Sequence, residues 1–325
     1  MHVSEDKLFK NEYRSRLNRT IDYVHNHYDE DLNLTKLAEI ACFSKFHFHR
    51  IFRAMVGETL NDFVQRIRLE KSIKKLTTDL NKSITDIALD CGFSCSQNFA
   101  KLFKARYGIT PSIFRREFNW DDWKTKMRNL KGKNKDDLQP ADAFLYDTYY
   151  NKRQLPIDKI LDKQFVPQVR IDNLPDLSVA YIRSRGLYHS KTIGPVFKQL
   201  LQWANHRELI ENGSMVLSVF WSDPSITPED KLIHDACITV PESIKVDRWV
   251  DIQVLPGGKF AIHHCEIDAD HTEEVWMSFV LNWLASSDYQ PDDRPPYQIY
   301  YTDPDSHPLK HQGIDLCLPI KPLYE

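Results

Sequence analysis

The sequence predicts a multidomain protein: an all-α domain built from a tandem helix-turn-helix, followed by an α+β domain of two strand-helix-strand-strand modules related by a pseudo-twofold axis. Three observations predict it. A helical segment recurs fifty residues further along, a strand-and-helix segment recurs in the second half at an offset of 80, and charge is divided unevenly. Residues 1–118 carry 20 Lys+Arg against 15 Asp+Glu, residues 119–163 carry 10 against 8, and residues 164–325 carry 13 against 23. The overall charge of −3 hides that division. A net-positive first part can approach phosphate, and a strongly acidic last part cannot.

The first repeat defines residues 1–118. Leu34–Ser44 (LTKLAEIACFS) answers to Ile84–Ser94 (ITDIALDCGFS); after one inserted residue, Phe48, Phe52, Gly57, Thr59 and Phe63 answer to Phe99, Phe103, Gly108, Thr110 and Phe114. Each copy reads as a short helix, a tight turn and a longer helix. Cys42 and Phe43 turn the chain in the first copy, and Ser44 is placed to cap the next helix. There Phe48, Ile51, Phe52 and Met55 form an apolar stripe, while Phe46, His49, Arg50 and Arg53 repeat the spacing on the other side. In the second copy Ser94 is the expected cap, with Phe99, Leu102 and Phe103 inward and Ser96, Gln97, Lys101 and Lys104 outward. Such a front suits a major groove, where Arg addresses guanine, Asn or Gln addresses adenine, and an aromatic meets a thymine methyl. Leu60–Leu76 lacks Gly and Pro and reads as a stiff connecting rod, and Thr110–Pro111 opens a last short helix. Two recognition helices on one chain can enter successive major grooves, about 34 Å apart.

Residues 119–163 lose this periodicity. Mixed charges and scattered aromatics, among them Trp120, Trp123 and Tyr149, read as a linker with marginal helix.

The second repeat defines residues 164–325. VFWSDP at Val219–Pro224 answers to IYYTDP at Ile299–Pro304; Asp235, Cys237 and Trp203 match Asp315, Cys317 and Trp283. Val179 aligns with Phe260 after a one-residue adjustment. Helices are expected over Ile193–Trp203 and Glu273–Leu284, and WVDIQVLPGGKF reads as a hairpin joining the modules. A cleft between two related half-sheets favours a ligand. Tyr188, Phe220, Trp221, Trp276, Gln298 and Tyr300 are its candidate lining, drawn from an aromatic-rich half in which many rings fill cores. Alternation puts Gln298 and Tyr300 on one face of their strand and Ile299 and Tyr301 on the other.

Composition excludes several classes. With 42% hydrophobic residues the chain can bury cores rather than remain disordered. No apolar run approaches the roughly 20 residues needed to span a bilayer. The opening residues, MHVSEDKLFKNEYRSR, are too charged for a secretory signal, so the chain reads as cytoplasmic. The six cysteines show no CxxC pairing, and adjacent His263 and His264 point to opposite faces of a strand, so neither a metal nor another cofactor is expected. No Ser/His/Asp set or phosphate loop stands out, and no enzyme is expected.

Gly92–Arg116 (GFSCSQNFAKLFKARYGITPSIFRR), with His47–Leu69 (HFHRIFRAMVGETLNDFVQRIRL), resembles AraC/XylS-type transcription regulators over residues 11–118. The resemblance implies sequence-specific binding of double-stranded DNA by Lys45, Phe46, His49, Arg50 and Arg53 in the first unit and Ser96, Gln97, Asn98, Lys101 and Lys104 in the second, and it leans towards activation, with RNA polymerase a partner. Residues 164–322, above all Trp283–Pro304, resemble the GyrI-like effector-binding domain. That implies a tandem module for a small, hydrophobic, often cationic effector. Many members of that family carry a pocket glutamate where this chain has Gln298. Either another acid serves, or the effector is neutral, with an aromatic compound the expectation. Two rival readings of the second domain stay open: a hydrolase-like enzyme, which Gln298 disfavours because an amide is no general base, and a protein-binding module.

Overall fold

The computed structural model describes residues 2–118, 167–210, 213–224, 226–247, 249–268, 272–284, 287–301 and 311–322. The expected linker, with Trp120, Trp123 and Tyr149, lies outside the described residues. The chain divides into two compact units, one helical and one built on a sheet.

In the helical unit α1 (His2–Asn26) buries Leu17, Ile21 and Val24 along one face. The duplication follows in three dimensions. α2 (Leu34–Ile40) and α5 (Ile84–Asp90) are the short helices, α3 (Lys45–Val56) and α6 (Ser96–Tyr107) the long ones, and α4 (Leu60–Thr78) and α7 (Pro111–Glu117) follow them. Both long helices end on a left-handed glycine, Gly57 at φ 79° and Gly108 at φ 80°. Both following helices start on a threonine whose hydroxyl accepts from the third residue onward: Asp62 N to Thr59 at 3.2 Å and Ile113 N to Thr110 at 3.3 Å. Phe48, Phe52 and Phe63, and their counterparts Phe99, Phe103 and Phe114, are wholly buried. At 19 residues α4 is a rod about 28 Å long.

Three expectations shift here. The cap of α6 is Cys95, whose Sγ accepts from Asn98 N at 3.5 Å, rather than Ser94; the inserted residue moves the cap one place along the chain. Ser44 occupies the cap position of α3 but its side chain makes no capping bond. Met55, expected in the apolar stripe, is 39% exposed, because it falls in the last turn of α3, beyond Phe48 and Phe52.

The second unit is an antiparallel sheet of β1 (Val169–Leu174), β2 (Leu177–Arg185), β3 (Val216–Phe220), β4 (Ile233–Thr239), β5 (Asp251–Leu255), β6 (Gly258–Asp268), β7 (Tyr289–Pro291), β8 (Tyr297–Tyr300) and β9 (His311–Pro322). Its order is β1-β6-β9-β8-β3-β4-β2-β5, with β7 paired to β9. Helix α8 (Ser190–Asn205) crosses one face of the first module; α9 (Thr272–Ser278), continued by a π-turn over Phe279–Trp283, belongs to the second. Leu200 and Trp203 of α8 cluster with Ala180 and Ile238 of the sheet; Phe279 and Leu284, at and just after the π-turn, cluster with Ile314 and Leu316. The other face buries Tyr181, Leu217, Val219, Phe260 and Tyr297.

The order reads the same from either end, β6-β9-β8 against β2-β4-β3, so the repeat is a pseudo-twofold. Across its centre Ser218 pairs with Gln298. These two positions are also repeat counterparts, so the axis passes between them. The expected hairpin does not form: β5 pairs with β2 and β1 with β6, so each edge strand is exchanged to the other module. The two links cross. Gly257 N donates to Asp176 Oδ1 at 2.7 Å, and a Cβ on Gly257 would lie 2.4 Å from Leu174 O. The glycine serves a strand crossing rather than a tight turn.

Candidate functional site

Among the described residues, no internal partner engages the side chains of Lys45, His49, Arg50 and Arg53 on α3 or of Gln97, Asn98, Lys101 and Lys104 on α6. Neither helix contains an acidic residue. Lys45, His49, Arg50 and Arg53 on α3, and Gln97, Asn98, Lys101 and Lys104 on α6, are exposed, while Ser96 is half-buried. The side chain of Phe46 lies outside the described residues. Other cations of this unit are engaged: Arg66 pairs with Glu58 at 2.7 Å and Glu70 at 3.2 Å, Arg106 with Glu70 at 3.4 Å, and Arg115 donates to Lys82 O at 2.5 Å. Among the described residues, uncompensated cations therefore concentrate on the two long helices of the duplication. Such groups can exchange counterions for phosphates and reach base edges.

In the sheet unit the axis residues sit under aromatic rings on the helix-bearing face. Tyr188 packs on Phe220 with centroids 5.1 Å apart, Phe220 meets Trp276 at 6.3 Å, and Phe197 of α8 meets Tyr300 at 5.5 Å. The Tyr188 hydroxyl is pinned to the backbone of Ile233 and Ser222, each at 2.8 Å. A continuous polar relay runs beneath these rings, and its direction follows from one donor-only group. Trp276 Nε1 can only donate, and it donates to Gln298 Oε1 at 3.1 Å. That turns Gln298 Nε2 towards the Tyr300 hydroxyl. Tyr300 in turn donates to Ser218 Oγ at 2.8 Å, Ser218 donates to His234 Nε2 at 2.9 Å, and His234 Nδ1–H meets Ser184 Oγ at 3.2 Å.

Every member of this relay is uncharged at neutral pH. Burial pushes the His234 imidazole down to about 4, the neighbouring Asp235 opposing and Arg183 assisting. Burial likewise raises Tyr300 above the usual phenol range, against its hydrogen bonds with Ser218 and Gln298. Among the described residues no carboxylate joins the relay.

The structure thus brings Tyr188, Phe220, Trp276, Gln298 and Tyr300 together and turns Trp221 to the opposite face. Trp221 Nε1 donates to Asp235 Oδ2 at 2.7 Å, because it is one residue out of phase with Phe220. Three relay members, Ser184, Ser218 and His234, and the wall residue Phe197 escaped the sequence reading. The repeat offset itself could have found Ser218, since it stands opposite its own counterpart.

The opposite face holds the two repeated carboxylates. Asp235 accepts from Arg183 Nε and Nη2 at 2.7 and 2.6 Å, from Trp221 and from Gln253 at 2.9 Å. Asp315 accepts from His264 Nδ1 and Arg170 Nη2, both at 2.7 Å, and from Tyr301 at 2.9 Å. His263 turns the other way, towards Phe279. No group of three or more His, Cys, Asp or Glu among the described residues is arranged to hold a metal.

The helical unit is a paired, duplex-reading scaffold and the sheet unit a duplicated ligand scaffold. Residues 37–117 match the model of a helix-turn-helix domain, and residues 167–321 match that of the GyrI-like small molecule binding domain. The transcriptional activator AarP of Providencia stuartii is 35% identical over 101 residues, 31% of this chain and 74% of AarP. The regulatory protein SoxS of Escherichia coli is 33% identical over 95 residues, 29% of this chain and 88% of SoxS. Among solved structures, the C-terminal domain of EcmrR aligns over 49% of this chain and 99% of its own length, at 12% identity and a TM-score of 0.39. The chain belongs to the AraC family of DNA-binding transcription regulators and carries a GyrI-like small-molecule binding domain. No described helix is long and apolar enough to cross a membrane.

Proposed function

We propose that the protein is a cytoplasmic, non-enzymatic activator whose sheet domain takes an uncharged aromatic effector and whose two long helices read an asymmetric site in successive major grooves. The observation that carries the effector assignment is the relay ending on Gln298: it is neutral throughout, and the Trp276 indole already occupies Gln298 Oε1. A buried cation would find no counter-charge there. A flat neutral molecule stacking on Phe220, Trp276 and Tyr300 has only apolar surface to bury and the relay edge to meet.

For DNA, Arg50 and Lys101 supply the central contacts, Gln97 and Asn98 address adenine edges, and Lys45, Arg53 and Lys104 meet phosphates. Residues 119–163 tether domain 1–118 to domain 164–325, and activation is exerted through RNA polymerase. The test is fluorescence anisotropy on a promoter fragment across a salt series. Specific affinity falls as salt rises, and Arg50→Ala with Lys101→Ala removes discrimination between specific and random DNA. Unchanged discrimination in that double variant would refute the assignment of the reading residues.

A further inference from the structure

The two helix-turn-helix turns are built on the same plan but hold different residues at their left-handed position. In the first copy this is Cys42 at φ 52°, and in the second Gly92 at φ 78°. The first shows that a left-handed turn tolerates a side chain here. Glycine in the second copy therefore answers to something besides the torsion angle. A Cβ on Gly92 would stand 2.7 Å from Tyr28 O and 2.8 Å from the guanidinium carbon of Arg68.

Those neighbours belong to the other copy and to the rod. Arg68 lies midway along α4 and is half-buried. Its Nε donates to Tyr28 O and its Nη2 to Glu30 O, both at 2.7 Å, and both carbonyls lie in the segment between α1 and α2 of the first copy. One planar fork thus holds two backbone carbonyls of the first unit while the turn of the second unit presses on it. Above this junction is a groove of about 780 Å³ with Arg68 and Gly92 in its lining; His49 of α3 and Asn98 of α6 line it as well. The junction and both reading helices share one groove.

We propose that Arg68, seated against Gly92, is a positioning residue that fixes the separation of the two reading helices and hence the spacing between half-sites that the protein accepts. Lysine cannot replace it, because a single ammonium lacks the rigid two-donor fork. An added methyl at Gly92 would wedge the second turn away from Tyr28. The proposal rests on the assignment of α3 and α6 as the reading helices.

The test is selection from random-sequence DNA by the full chain, followed by anisotropy on the selected site with zero, one or two base pairs inserted between its halves. Wild type is expected to select one spacing and lose about tenfold in affinity on a one-pair insertion, which displaces the second groove along and around the duplex. Arg68→Lys and Gly92→Ala are expected to keep the same half-site sequences but flatten that penalty to about threefold or less. Cys42→Ala, at the equivalent turn, whose carbonyl accepts from Arg16 of α1 at 3.0 Å rather than meeting the Arg68 fork, leaves that backbone contact in place and is expected to retain the wild-type penalty. A purely structural role would lower affinity equally at every spacing, and that result, or an unchanged spacing penalty in Arg68→Lys, overturns the proposal. Failure of wild type to select a two-part site would instead overturn the reading-helix assignment.

Discussion

In the first module of the sheet Asp235 is sealed: four donors satisfy it and its partner Arg183 is 2% exposed by side chain. In the second module Asp315 is equally inaccessible, but the groups above it, Arg170 and His264, are more than half exposed. The two carboxylates occupy the same place in the same strand register, Asp235 opposite Arg183 and Asp315 opposite His264. The duplication has preserved the framework and the buried acid, while the covering side chains diverged. On the helix-bearing face the divergence goes further, since Ser218 and Gln298 meet on the axis and together make one asymmetric relay. A twofold scaffold thereby gains a single, directional relay.

The largest effect should separate the two carboxylates. Arg183→Met leaves a fully buried acid without its cation and should cost about 3 to 5 kcal/mol in urea unfolding. Arg170→Met removes a half-exposed partner and should cost about 1 kcal/mol or less. Equal losses would dissolve the distinction between a sealed and an open site.

A comparable effect lies on the relay side. The His234 imidazole is held down to about 4 in the folded protein, so folding favours its neutral form. The stabilisation is complete above the unfolded value near 6.5 and is lost as pH falls from there towards 4, by up to about 3 kcal/mol. His234→Gln should flatten that limb of the stability curve. Asp315 has the same sign at lower pH: burial opposes its ionisation, yet the bonds from His264, Arg170 and Tyr301 hold its carboxyl below the usual range. Persistence of the upper limb in His234→Gln would locate it elsewhere.

Gln298→Glu should reverse the relay at a cost of about 1 to 3 kcal/mol in the free protein. A carboxylate cannot donate, so Tyr300 must donate to it, Ser218 to Tyr300 and His234 Nε2–H to Ser218. The imidazole tautomer therefore changes from Nδ1–H to Nε2–H, which nitrogen chemical shifts report. An unchanged tautomer would contradict the direction assigned from Trp276. The smallest effect is in the helical duplication, where Cys42→Gly should relieve left-handed strain and stabilise by about 1 kcal/mol or less, read as a small rise in Tm.

Much of this architecture was legible because duplication writes itself into sequence. The offset of 50 and its shift to 51 located the short and long helices α2, α3, α5 and α6, the run without Gly or Pro marked α4, and Thr110–Pro111 opened α7; the same shift accounts for the cap moving from Ser94 to Cys95. The exchange of β1 and β5 was not legible. Pro256, Gly257 and Gly258 carry the local signature of a hairpin, and only the approach of Gly257 to the Leu174 carbonyl, far away in sequence, selects the crossing instead. Helix α1 beyond its charged start went unassigned because it lies outside both repeats. For the cleft, Phe220 and Trp221 were both expected in the lining although adjacent strand residues alternate faces, and the relay needed the pairing of β3 with β8, which no local pattern encodes.

If the relay face takes an uncharged aromatic effector, as proposed, charge on the ligand decides its affinity. Isothermal titration of the full chain with 4-phenylpyridine, neutral above pH 7, and with its N-methyl cation at the same pH compares one ring frame with and without charge. Tighter binding of the neutral compound, reversed by Gln298→Glu, is the predicted result; preference of the wild-type protein for the cation would contradict it.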